Sequence, residues 1–303
     1  MSVSMIPACR LCPRRCGAVR DGRNGGGFCG MPAAPVVARA ALHHGEEPCI
    51  SGTRGSGAVF FSGCTLRCLF CQNASISRER FGQAISAGRL ADIFRELVEQ
   101  GAHNINLVSP TPFVPAILAA VERYRPPVPI VYNTGGYETL ETLRLLDGVV
   151  DVYLPDFKYR DAALAARLSG AADYPERAAE AVLEMARQTG PMRLDAEGLA
   201  QKGTLVRHLV LPGHTRDSIA VLDWLADHLP AGCWISLLSQ YTPFGMPEGA
   251  PELGRRLTAR EYDKVFRHMA ERGLVDGYAQ ERSSAGQSQI PAFDLTGVIP
   301  PES

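Results

Sequence analysis

Three cysteines fall within eight positions of one loop: Cys64, Cys68 and Cys71 in "SGCTLRCLFCQN", spaced C-x3-C-x2-C. Four more, Cys9, Cys12, Cys16 and Cys29, form a C-x2-C-x3-C-x12-C array near the N-terminus, while Cys49 and Cys233 stand apart. Grouped cysteines in a reducing compartment point to metal or cluster ligation rather than disulfides. The two groups imply different chemistry. Four thiolates either close a tetrahedral zinc site or hold an iron–sulfur cluster with every iron capped. Three thiolates fall one short. On a [4Fe–4S] cluster they hold three irons and leave the fourth open to a substrate or cofactor, unlike a fully ligated electron carrier.

The elements that must position these loops follow from periodicity. "AVFFSG", directly before the three-cysteine loop, is a continuous apolar run and predicts a strand. "NINLVS", "PVPIVYN", "VVDVYLPDF", "TLVRHLVLPG" and "CWISLLS" predict further strands, each followed by a helical pattern. Over Gly88 to Gln100, Leu90, Ile93, Phe94, Leu97 and Val98 share one face. Thr258 and Glu261 form a capping box, Tyr262, Val265, Phe266 and Met269 follow on one face, and Gly273 stops the helix. Gly198–Gly203 and residues 245–254 read as loops. About six β/α units with continuously apolar strands predict an α/β chain with a parallel sheet covered by helices. The expected architecture is a partial (β/α)6 TIM-like barrel over residues 51–303, including a C-terminal extension. A small cysteine-rich metal module over residues 1–50 precedes it. Ser62, Ser109, Asn133, Asp156, His208 and Gln240 fall at strand C-terminal ends, the rim that carries the site in β/α barrels.

Strand, loop, spacing and the aromatic Phe70 before the third cysteine together resemble the signature of the radical S-adenosylmethionine (SAM) enzymes. Blocks such as "HHGEEPCISGTRGSGAVFFSGC", "GAHNINLVSPTP", "DVYLPDFKY" and "RHLVLPG" are similar to a subgroup of homologues of the pyruvate formate-lyase activating enzyme. The resemblance implies a radical SAM barrel and an oxidoreductase. Its cofactors are a [4Fe–4S] cluster on Cys64, Cys68 and Cys71, and SAM on the open iron. It further implies that Phe70 packs near the adenine and that Ser109 and Thr111, in a Ser-Pro-Thr-Pro turn, replace a GGE-type turn at the SAM amino group. Asn133 and Thr134 then lie near SAM or a cation. Asp156 and Lys158 match an Asp-x-Lys element, the aspartate holding a cation or the ribose and the lysine SAM's carboxylate.

Arg207 and His208 lie in one strand and so face opposite sides. His208 is the expected interior residue and, with Lys158, a candidate catalytic group. Gln240 and Tyr241 close the last strand and are candidate substrate contacts. Cys9, Cys12, Cys16 and Cys29 are expected to hold a second metal site, zinc or iron–sulfur. Classical activating enzymes lack that module.

With 31 Lys and Arg against 32 Asp and Glu, the net charge is −1. This gives no sign of a nucleic-acid or membrane partner. No apolar run approaches the ~20 residues of a membrane span, and the first residues lack a signal-peptide pattern. A cytoplasmic protein is expected. The resemblance implies a low-potential reductant such as flavodoxin or ferredoxin and a glycyl-radical protein as substrate. A small molecule or another protein is the alternative substrate. A non-catalytic iron–sulfur electron-transfer or sensor protein is the alternative class.

Overall fold

The computed structural model of the chain describes residues 5–244, 246–280 and 291–300. Its strands are β1 (Val36–His43), β2 (Ser56–Phe61), β3 (Gln83–Ala84), β4 (Ile105–Val108), β5 (Ile130–Thr134), β6 (Val152–Pro155), β7 (Arg193–Leu194), β8 (Ala200–Leu209), β9 (Trp234–Leu238) and β10 (Gly277–Ala279). Its α-helices are α1 (Pro48–Ser51), α2 (Ala74–Ser77), α3 (Ala87–Glu99), α4 (Val114–Arg123), α5 (Leu140–Leu145), α6 (Ala162–Ser169), α7 (Tyr174–Thr189), α8 (Thr215–His228) and α9 (Ala259–Glu271).

The sheet runs β10-β9-β8-β6-β5-β4-β2-β1-β3. From β2 to β10 neighbouring strands are parallel, with helical crossovers between them. The expected partial barrel is therefore present. Strands β2, β4 and β6 are buried along their whole length, as the unbroken apolar runs require. Inside the curve of the sheet, Val131, Val152, Leu154 and Leu205 pack with Cys49 and Ile50 of α1. Outside it, Leu90, Ile93, Phe94 and Leu97 of α3 join Ile117 and Ala120 of α4 in the outer core. Burying side chains of this size contributes roughly 1.5–3 kcal/mol each.

Three expectations change. Residues 36–43, which the sequence places in the N-terminal module, form β1, antiparallel to β2 with His43 opposite Ser56. Gly198–Gly203 is only partly loop, because β8 begins at Ala200 and forms a hairpin with β7, Arg193 opposite Lys202. Within residues 245–254, Pro251–Gly254 form a 3₁₀ turn, and Gly245 lies outside the described residues. The capping box of α9 is formed as expected, but Phe266 is half-exposed and stacks on Tyr262.

Candidate cluster and cofactor site

The three-cysteine loop leaves β2 through Gly63. At Gly63 φ is +76°, and a Cβ would sit 2.2 Å from Met31 Cγ, so a larger residue would be strained in this turn and would displace the Met31 side chain. Each loop sulfur accepts a hydrogen bond from the protein. Leu66 N–H donates to Cys64 Sγ at 3.4 Å, Ser169 Oγ to Cys68 Sγ at 2.9 Å, and Ser77 Oγ to Cys71 Sγ at 3.2 Å. Burial, then the neighbouring Cys68 and Cys71, push the Cys64 thiol up to about 12. Burial also raises Cys68, against the pull of Lys158. Sulfurs in this setting ionise when a metal replaces their protons.

Among the described residues, no three His, Cys, Asp or Glu side chains converge on a point that would hold a single metal ion. A single zinc draws its sulfurs to about 2.3 Å from one centre. A four-iron cluster takes each thiolate at a different iron and needs a wider ring. The donor chemistry of the loop fits a cluster: three thiols, each hydrogen-bonded by the protein, with Cys68 and Cys71 opening onto free space. Cys68 and Cys71 line a pocket of about 220 Å³ at the strand C-terminal ends.

The far wall of that pocket is an ionic network. Arg207 donates from Nε to Asp156 at 2.9 Å, from Nη1 to Glu46 at 3.0 Å and from Nη2 to Asn133 Oδ1 at 2.6 Å. Lys158 Nζ donates to Asp156 at 2.6 Å. Asn106 and Asn133 donate to the other Glu46 oxygen at 3.1 and 3.0 Å. Burial opposes ionisation of Asp156, but Lys158 and Arg207 outweigh it and hold its pKa below the ordinary value. Burial likewise opposes the charge on Lys158, and Asp156 and Cys68 outweigh it. The Asp-x-Lys turn is fixed from behind. Tyr174 Oη accepts from Lys158 N–H at 2.9 Å, and at Gly136 a Cβ would lie 2.3 Å from the Asp156 carbonyl oxygen.

Phe70 lines the pocket with its edge toward Tyr159 and Tyr241, at centroid distances of 6.4 and 6.5 Å. Asn133, Asp156, Lys158 and Gln240 line it as well. Tyr241 is buried, and its hydroxyl donates to the Leu253 carbonyl. Ser109 stands at the end of β4 with φ +59°, a left-handed conformation that non-glycine residues seldom adopt. Its N–H donates to the Asn133 carbonyl at 2.9 Å. Thr111 and Thr134 turn elsewhere, both donating to Oε1 of the buried Glu138, Thr111 at 2.6 Å.

His208 requires a correction. Leu205 lies in the interior core and Arg207 in the pocket, so strand alternation sends His208 to the helix-covered side. There its Nδ1 meets the Phe157 carbonyl at 2.7 Å while its Nε2 is buried without a partner. Burial lowers its pKa to about 4. The neutral ring is a core residue, and Arg207 is the group that reaches the pocket.

Cys9, Cys12, Cys16 and Cys29 all line one small cavity, closed on the barrel side by Thr65 and Thr111. The four thiols thus share one lining, the donor set of either a zinc site or an iron–sulfur cluster. The cavity is joined to the three-cysteine loop by Arg14, which donates to the Thr65 carbonyl at 3.0 Å and to the carbonyls of Ser169 and Gly170. Those last two carbonyls are exposed to it because α6 stops at Gly170 in the left-handed conformation.

Sequence reasoning missed Glu46 and Glu138, and chose His208 over Arg207. The paired acids in "HHGEEPC", directly before a helical turn that starts with proline, were the available signal for Glu46. Glu138 had no such signal; burial raises its pKa to about 7 against its hydrogen bonds from Thr111 and Thr134.

Comparison with known proteins gives the site its context. A family model described as the radical SAM superfamily matches residues 58–225. An uncharacterized protein of Methanocaldococcus jannaschii is 30% identical over 277 residues, covering 88% of this chain and 75% of its own. Streptococcus suis SuiB bound to S-adenosylmethionine superposes with a TM-score of 0.51 at 14% identity, over 72% of this chain and 48% of SuiB. The chain thus spans about half the length of SuiB. A radical SAM methyltransferase from Sphaerobacter thermophilus gives a TM-score of 0.51 at 17% identity, over 77% of this chain and 70% of its own. At these identities the structural likeness is one of fold.

Proposed function

The chain belongs to the radical SAM superfamily, whose enzymes use a [4Fe–4S] cluster and S-adenosylmethionine, and on that premise we propose that Cys64, Cys68 and Cys71 hold the cluster and the adjoining pocket the cofactor. One observation carries this reading: Cys68 and Cys71 open into the same pocket as Phe70, Asn133, Asp156, Lys158 and Arg207. When bound, cluster and cofactor supply one-electron reductive cleavage to methionine and a 5′-deoxyadenosyl radical that abstracts hydrogen.

The chain's own residues bind and orient. Lys158, held by Asp156, presents an ammonium to the cofactor carboxylate. Asp156 and Asn133 are braced by Arg207 to face ribose or ammonium. Phe70 supplies an apolar face for the adenine. Ser109, half-buried at the end of β4, contributes at the same end. The N-terminal cysteines hold a second metal centre.

Radical SAM enzymes need a reductant, and a flavodoxin or ferredoxin fills that role here. The substrate suggested by the sequence resemblance is a glycyl-radical protein, as for activating enzymes. A small molecule or another protein is the second reading, favoured by a further cavity of about 260 Å³ that adjoins the cofactor pocket.

The test is anaerobic incubation of the reconstituted protein with dithionite and SAM. 5′-Deoxyadenosine is expected from the wild type and none from Cys71→Ala, which lacks one of only three ligands. An electron-transfer or sensor protein would yield none from either.

A further inference from the structure

The cofactor pocket and the second cavity share Gly45, Glu46, Arg207, Leu238 and Gln240, so they form one continuous mouth. Glu47, Ser236 and Tyr278 line only the second cavity. Two atoms there are conspicuous. Glu47 Oε2 and Ser236 Oγ are both buried and lie near each other, yet neither makes a hydrogen bond of good geometry. Glu47 is 8% exposed and Ser236 0%. Glu47 caps no helix end, since its side chain makes no bond to the N-terminus of α1 that it precedes.

The charge balance of the mouth points the same way. Glu46, Glu47 and Asp156 supply three carboxylates, whereas Lys158 and Arg207 supply two cations. Arg207 directs its three nitrogens to Asp156, Glu46 and Asn133. Glu46 is saturated by Arg207, Asn106 and Asn133. The carboxylate left over is Glu47. Burial pushes its pKa up, although Arg207 nearby pulls the other way. Such a group gains most from a ligand that brings both a positive charge and several donors.

We propose that this second cavity is the substrate's recognition subsite and takes a primary ammonium group, bound by Glu47 and Ser236. An ammonium carries three donors, one for Glu47 Oε2, one for Ser236 Oγ and one to spare. Its charge balances the surplus carboxylate. The rest of the substrate then extends through the shared opening toward the cofactor pocket. The proposal rests on the radical SAM reading, and it defines the substrate class of that reaction. A free amine and a lysine or N-terminus of a protein present the same chemistry.

The experiment uses the full chain, anaerobic and cluster-loaded, with binding followed calorimetrically. The probes are n-butylammonium and its neutral counterpart n-butanol, then the peptide acetyl-Gly-Lys-Gly-amide and its norleucine counterpart. The wild type is expected to prefer the charged member of at least one pair by about tenfold or more, the strength of a buried charge-assisted hydrogen bond. Glu47→Gln, which keeps size and loses charge, should abolish that preference. Ser236→Ala, a second and milder variant, should reduce it. A stronger preference in the peptide pair identifies a protein source, and one in the amine pair a small molecule; either supports the subsite.

Equal binding of charged and neutral probes, no binding of either pair, or a preference surviving Glu47→Gln would overturn it. SAM is titrated alongside because it carries its own ammonium. A Glu47→Gln protein that loses SAM affinity as fully as probe affinity would reassign Glu47 to the cofactor and overturn the proposal. Absence of SAM cleavage with the ammonium preference intact would strike at the reaction, not at this subsite.

Discussion

Lys158 and Asp156 meet at 2.6 Å, and Arg207 takes the other Asp156 oxygen at 2.9 Å. Removing the lysine charge therefore leaves Asp156 neutralised, so the fold should tolerate Lys158→Met. What is lost on the proposed reading is the donor to the cofactor, a charged hydrogen bond of roughly 1.5–3 kcal/mol in a partly desolvated pocket. SAM affinity should fall about tenfold or more, with cluster iron unchanged, as read by anaerobic titration and iron analysis. Unaltered affinity would remove Lys158 from the site. Glu138 gives a second test, on pH. Burial raises its pKa from 4.5 to about 7. The folded state therefore binds the extra proton between those values, and stability falls as pH rises from the unfolded pKa through the folded one. The loss attributable to this group is about 3 kcal/mol. Glu138→Gln should flatten that part of the pH dependence in anaerobic denaturant unfolding, and an identical slope in both proteins would contradict it. Of these residues, the Asp-x-Lys pair was legible in the sequence because both members sit on one face of a strand end. The choice between Arg207 and His208 was not. Alternation says that one of the two faces inward, but the phase is set by the pairing of β8 with β6 and β9, which is a property of distant segments.

At the level of elements, the two cysteine loops interlock. Phe28, next to Cys29, has Arg14 over its ring at 3.9 Å and Arg67 at 4.3 Å. Arg14 lies between Cys12 and Cys16, and Arg67 between Cys64 and Cys68. Arg67 also donates to the Phe28 carbonyl at 2.6 Å. Arg14 reaches the carbonyl of Ser169, whose hydroxyl donates to Cys68 Sγ. Each loop was legible from spacing alone. Their contact was not, since residues such as Arg14 and Ser169 are 155 positions apart and only the finished barrel brings them together. The contact has a consequence. Cation–π stacking contributes about 0.5–2 kcal/mol, and the carbonyl bonds add to it. Arg14→Met should leave the cluster proposed on the three-cysteine loop able to assemble but make it bleach several-fold faster in air, followed by the decay of its visible absorbance. An unchanged decay rate would show that the clamp does not protect the loop. The cysteines themselves separate the two centres. Replacing Cys12 and Cys16 with Ala should lower the metal content by about four irons where the second centre is an iron–sulfur cluster. Loss of about one zinc would instead assign a zinc site, and no loss would make these free thiols.

Across the whole molecule, the parallel sheet was legible because buried parallel strands must be apolar on both faces. The strands at its β1 edge were not, because they depend on pairing with distant chain. Residues 291–300 return from the far end of the sequence and lie along β1. Leu295 N–H donates to the Ala38 carbonyl at 3.0 Å, and Ala40 N–H to the Thr296 carbonyl at 2.8 Å. Arg89 of α3 donates to the carbonyls of Gly297 and Val298 at 2.9 and 3.0 Å. Phe293 packs edge-on against Phe60, which lines the cofactor pocket. This strap therefore covers the sheet edge and backs one wall of the site. Two substitutions test it with different expected sizes. Val298 is fully buried in the outer core, so Val298→Ala removes two methyl-sized groups and should cost about 1–3 kcal/mol. Gly297 has φ +70°, and a Cβ there would lie 2.0 Å from the Ala40 carbonyl oxygen. Gly297→Ala must therefore displace backbone from β1, adding steric exclusion to left-handed strain, and should cost more than Val298→Ala. Anaerobic denaturant midpoints measure both, with an unchanged slope expected for the valine variant because little surface is newly exposed. Because the strap backs Phe60, Gly297→Ala should also weaken SAM binding, whereas Val298→Ala should not. Equal and negligible shifts in both midpoints would mean that the strap does not hold β1 in solution.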